Sequence, residues 1–178
     1  MTPLRSPGLR VLQGLLLLAG AVVLDLVVAR GSLAFYWTPL IIGLTYLAAA
    51  VAGGRLGGYW ATACVIIGWG LAVVFVGATR PTTIDASGAY LLGAGLGAVG
   101  GALLARLRFT VGTLGLAATV AAGGLVLAVS PMAPGVLDDA RIFAVALGLV
   151  GLFNVALGAT LGRRTRDQAE AAVPHPAE

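Results

Sequence analysis

Residues 11–30 read VLQGLLLLAGAVVLDLVVAR. The nineteen residues Val11–Ala29 lie between Arg10 and Arg30, and Asp25 is the one charged side chain among them. At about 1.5 Å of rise per residue, about 20 apolar residues cross the roughly 30 Å of hydrocarbon in a bilayer. This stretch is long enough. Five more of its kind follow: Phe35–Gly54, Leu56–Thr79, Ala86–Ala105, Phe109–Ser130 and Ile142–Gly162. Each is apolar all round, so length and charge spacing mark them rather than periodicity. Unbroken apolar runs, not alternation, favour helices over a barrel. The sequence therefore predicts an all-α integral membrane protein with six transmembrane helices in one domain, residues 1–162. Residues 163–178, RRTRDQAEAAVPHPAE, read as a polar cytoplasmic tail, a short helical extension followed by a disordered end. Ser32-Leu33-Ala34 resembles a signal-peptide cleavage site, but nineteen residues is long for a signal core, so the first stretch reads as a retained span.

Composition agrees. Hydrophobic residues make up 59% of the 178, charged residues 10%, and mean hydropathy is +1.00. A soluble domain carries about a quarter charged residues, so this chain has too little polar surface to cover itself in water. All 11 basic residues are arginines, set at helix ends rather than in one stripe, which argues against a nucleic-acid partner. Cys64 stands alone in an apolar run, which leaves no disulfide or thiolate metal site; it reads as a small packed hydrophobe. The one histidine, His175, is in the tail, so the spans hold no imidazole base or ligand. Gly95, Gly97 and Gly100 match a dinucleotide-type spacing, but they follow no strand. The expectation is no enzyme, no cofactor and no metal.

Arginine placement orients the chain. With a cytoplasmic N-terminus, eight arginines face inward (Arg5, Arg10, Arg55, Arg106, Arg108, Arg163, Arg164, Arg166) and three outward (Arg30, Arg80, Arg141). The positive-inside rule then places both termini in the cytoplasm, in the plasma membrane. Phe35-Tyr36-Trp37 falls at the outer interface and Tyr59-Trp60 at the inner one. A shift of 53 residues overlays Arg55 on Arg108, Pro81 on Pro134, Asp85 on Asp138 and Tyr90 on Phe143. Ser32, Asp85 and Asp138 then read as N-caps of three weakly repeated hairpins.

Small residues and isolated polar ones complete the reading. Ala89, Gly93, Gly97, Gly101 and Ala105 recur every fourth residue on the fourth span, with shorter stripes at Asn154, Gly158, Gly162 and at Gly115, Thr119, Gly123. Such stripes let backbones approach where lipid removes the hydrophobic drive to pair. Asp25 lies in the outer half of its span, five positions from Arg30 and so off the i, i+4 face; its expected partner is Arg80, Arg141 or water in a vestibule. Depth alone groups it with Trp69 and Tyr90 in an outward pocket. Tyr46 and Asn154 lie deeper, and the Asn154 amide is expected to bond across to another helix.

Two functions fit. The first is an accessory or structural subunit packing against partner helices, with the bilayer, a second copy or a larger membrane complex as its partners; Gly97→Leu then breaks the complex. The alternative is a small transporter or channel with Asp25 as its ion- or proton-sensing residue and Tyr46, Trp69 and Asn154 along the path. A sparse polar lining favours the first.

Overall fold

A computed structural model describes residues 7–31, 33–112, 117, 120 and 139–171. Within them the elements are helices: α1 (Pro7–Leu24), α2 (Thr38–Ala52), α3 (Trp60–Thr79), α4 (Ala86–Arg106) and α5 (Ala140–Ala171). Five helical stretches among the described residues are long and apolar enough to cross a membrane: Pro7–Ala29, Phe35–Ala52, Trp60–Thr79, Ala86–Arg106 and Ala140–Arg163. They fall on five of the six spans read from the sequence. The remaining one, Phe109–Ser130, lies almost wholly outside the described residues, as do Ser32, Pro134 and Asp138. Six spans and a threefold repeat are thus expectations that the described residues do not reach. The helix at the C-terminal end continues to Ala171, past the expected span limit at Gly162.

Local chemistry sets the helix limits. Pro39 sits in the first turn of α2, a position where a missing N–H costs nothing. Asp85 caps α4 as expected: its Oδ2 accepts the Gly88 N–H at 2.7 Å. The other end of α3 is closed by Arg80 in the left-handed region (φ 46°, ψ 54°), its N–H donating to the Val76 carbonyl at 2.9 Å, just before Pro81. A side chain with a Cβ is disfavoured there. Arg80→Gly is expected to raise stability by about 0.5–1 kcal/mol, the left-handed relief exceeding the entropy that glycine adds to the unfolded chain. Chemical unfolding in detergent measures this; a loss would mean that the arginine side chain holds the turn.

The principal pairings run α5–α1–α2–α3–α4. Glycine sits at each of these crossings. A Cβ on Gly14 of α1 would lie 2.7 Å from the Gly151 carbonyl of α5, and one on Gly151 would lie 2.9 Å from the Gly14 carbonyl. Gly20 abuts Thr45 between α1 and α2, while Gly43 and Gly70 press on Ile67 and Leu40 between α2 and α3. Gly68 meets Gly93 and Gly97 between α3 and α4. Close backbone approach gains dispersion contacts that hydrocarbon cannot supply by exclusion alone. Of the sixth-span stripe, Gly158 meets Val11 and Pro7 of α1 and Gly162 meets Pro7, with Gly151 joining them on that face, while Asn154 bonds to Tyr59.

Candidate functional site

Polar side chains gather at the two ends of this helix row. At one end, α1 gives way to a π turn over Asp25–Ala29, closed by the Arg30 N–H on the Asp25 carbonyl at 3.2 Å. An i→i+5 turn carries one more residue than an α-turn and brings position 30 over position 25. Arg30 Nη2 and Nε both reach Asp25 Oδ2 at 3.3 Å. The expectation that Arg30 is badly placed is therefore wrong, because it assumed α-helical spacing. Among the described residues the ion pair of Asp25 is with Arg30, and neither Arg80 nor Arg141 pairs with it. The pair faces outward, with the Asp25 side chain 37% and the Arg30 side chain 64% exposed. Where such a pair meets water at the membrane surface it contributes little. Asp25→Asn is expected to change unfolding free energy by less than about 1 kcal/mol; a larger loss in an unfolding titration would show an unpaired arginine being dragged into hydrocarbon.

The outward pocket expected from depth does not assemble around this carboxylate. Asp25 follows α1, whose principal neighbours are α2 and α5, while Tyr90 stands on α4, packed on α3. Trp69 is half-buried on α3 with its indole N–H covered and without an acceptor among the described residues. The groove of about 510 Å3 that opens between α3 and α4 includes none of the three. Leu71, Ala72, Phe75, Gly88, Leu92 and Leu96 line it, with Gly68 and Gly93 in its floor.

The opposite end brings two of the expected residues near each other through a third. Tyr59, at the start of α3, donates its hydroxyl to Asn154 Oδ1 at 2.7 Å, and Asn154 Nδ2 donates to its own Val150 carbonyl at 2.8 Å. The cross-helix bond expected of Asn154 is present. The Tyr46 ring stands 5.6 Å from the Tyr59 ring at 55°, a tilted contact. Tyr46 also lines a cavity of about 180 Å3 with Ile42, Ile66, Phe143, Leu147 and Val150.

Gln13 is the residue that sequence reasoning missed. It is 1% exposed, and its Nε2 donates at 2.9 Å both to Ala49 O, near the end of α2, and to Gly57 O, in the turn before α3. Two carbonyls leave no choice of amide orientation. Its Oε1 is buried without a partner among the described residues. The signal was available: a single amide in the first span. Chemically, this end ties helices together; among the described residues no three His, Cys, Asp or Glu side chains group to hold a metal. No protein-family model, curated protein or solved structure matches the chain.

Proposed function

We propose that this chain is a multi-pass subunit of the plasma membrane, both termini cytoplasmic, with no catalytic chemistry of its own, which receives an apolar helix from a partner chain. The observation that supports it is the α3–α4 groove. Glycine and alanine alternate with leucine, isoleucine and phenylalanine along it, the small-and-large surface against which a helix packs in lipid, and its one charged residue, Asp85, caps α4 at the groove's end. The arginine bias supports the orientation. The fourth-span stripe divides between the two surfaces: Gly97 and Gly93 pack against α3 of the same chain, while Ala89 and Gly93 also line the groove.

Two glycines of α4 separate groove from surroundings. A Cβ on Gly88 would meet only its own cap, Asp85, at 3.4 Å, and one on Gly95 would meet nothing within 4 Å. Gly88 lines the groove and Gly95 does not. Gly88→Leu is expected to fill the groove and reduce the complex purified in mild detergent to the lone chain, with Gly95→Leu leaving it intact. A complex that survives Gly88→Leu, or a wild-type chain that purifies alone, sinks the proposal.

The second reading, a small transporter or channel, draws on one observation. Irregular helical turns of the π type recur at functional sites, and one carries the intramembrane carboxylate here. Reconstituted transport that survives Asp25→Ala without change removes it.

A further inference from the structure

Arg55 is held in an unusual way for a loop arginine. It lies in a short 3-10 turn, Gly54–Leu56, between α2 and α3. Its guanidinium carbon stands 5.4 Å from the centroid of the Phe109 ring. Phe109 in turn meets Trp60 edge-on, centroids 4.9 Å apart at 81°. Trp60 Nε1 donates to the Gly54 carbonyl at 2.9 Å, and the Thr110 N–H donates to the Arg55 carbonyl at 2.8 Å. The loop, the first residue of α3 and the segment after α4 thus lock one another. A guanidinium lying on a ring keeps its N–H groups at its edge, in a fixed fork that matches phosphate. The same Thr110 bond brings Arg108, two residues away, to this corner, and Arg106 is in the last turn of α4; all three arginines face outward. Asp85, the one acid between Asp25 and Asp138 in the sequence, caps the far end of α4, and among the described residues none of these arginines forms an ion pair. The N-terminus of α3, carrying the positive end of its dipole, also opens here with no side-chain cap.

We infer that Arg55, seated on Phe109 and seconded by Arg108, is a binding site for a phosphate group, supplied by an anionic phospholipid at the membrane surface. Trp60 and Phe109 provide the apolar side of the same contact, at the level where aromatic rings meet headgroups. Anionic lipid attracts arginines near the surface, and a guanidinium held over a ring adds bidentate geometry to that attraction. The site rests on the membrane reading of the chain and is independent of the partner groove.

The test is thermal unfolding of the full chain in neutral detergent, with added phosphatidylglycerol, phosphatidylcholine or inorganic phosphate. Each increment is read against the same variant without addition, so a lower starting stability does not hide the answer. Phosphatidylglycerol is expected to raise the midpoint by several degrees more than phosphatidylcholine. Arg55→Gln and Phe109→Leu should each remove at least half of that excess, and Arg80→Gln, at the opposite end, none. Arg55→Lys keeps the charge without the planar fork and should fall between wild type and the glutamine variant. Equal increments from the two lipids overturn the site, as does Arg55→Lys matching wild type. An increment from inorganic phosphate with none from phosphatidylglycerol overturns the lipid assignment. Loss of the Gly88→Leu effect would leave all of these readings unchanged, so the two proposals fail separately.

Discussion

Gly97→Leu should unfold the α3–α4 pair, at a cost of about 3 kcal/mol or more. A Cβ at this position would overlap the Cys64 carbonyl oxygen and lie 2.8 Å from the Val65 Cα. Both are backbone atoms, so no rotamer change relieves the clash. Gly93 is pressed in the same way on the Gly68 carbonyl and the Ala72 methyl. A leucine therefore has to drive two helices apart along most of their shared length, losing the dispersion contacts that hold them in lipid. Gly95→Leu, two residues away on a face that meets nothing within 4 Å, is the matched control and should cost nothing measurable. Unfolding in mixed detergent reads the difference. A cost below about 1 kcal/mol for Gly97→Leu would mean that α4 does not rest on α3 as described. The result also changes how Gly97 is used. A complex lost on Gly97→Leu reports a broken subunit rather than a vacated partner site, which is why Gly88 is the better probe.

Hydropathy made the spans legible because transfer free energy adds over about 20 residues, and no single side chain can reverse it. Helix limits followed from equally local rules, the Asp85 cap being one. What hydropathy could not carry is direction around the helix. The Ala89–Ala105 stripe was visible as a period of four, yet its neighbour Gly68 belongs to another helix and no spacing links them. Asn154 fell in a stripe by counting and in a hydrogen bond by geometry, because the face toward α1 is Gly151 and Gly158. The Asp25–Arg30 pair failed for a related reason. Five residues apart means opposite sides in an α-helix and the same side in a π turn, and the sequence alone does not announce the extra residue. Gln13 was lost by averaging. One amide barely moves the mean of a span dominated by leucine, valine and alanine, although it is the side chain that joins three elements.

Substitution at Gln13 should therefore rank second in effect, and the order of its variants is diagnostic. Gln13→Leu keeps most of the volume but removes two donors. The Ala49 carbonyl still accepts the Gly53 N–H at 3.2 Å, so the deficit falls mainly on Gly57, whose carbonyl then stays buried against leucine. Leaving such an acceptor unsatisfied costs about 1–3 kcal/mol, and about 2 kcal/mol is expected. Gln13→Glu is nearly isosteric yet should be worse. An ionised carboxylate has only acceptors to set against two carbonyl oxygens, and burial among Leu17, Ala49 and their neighbours denies it water. Gln13→Asn keeps the donors but shortens the reach, so it should lose one of the two bonds and fall between wild type and leucine. The expected order of stability is wild type, Asn, Leu, Glu, measured by unfolding in one detergent. A Glu variant as stable as wild type would mean that water reaches position 13, and the closed end of the row around Ala49, Gly57 and Tyr59 would have to be redrawn as an opening.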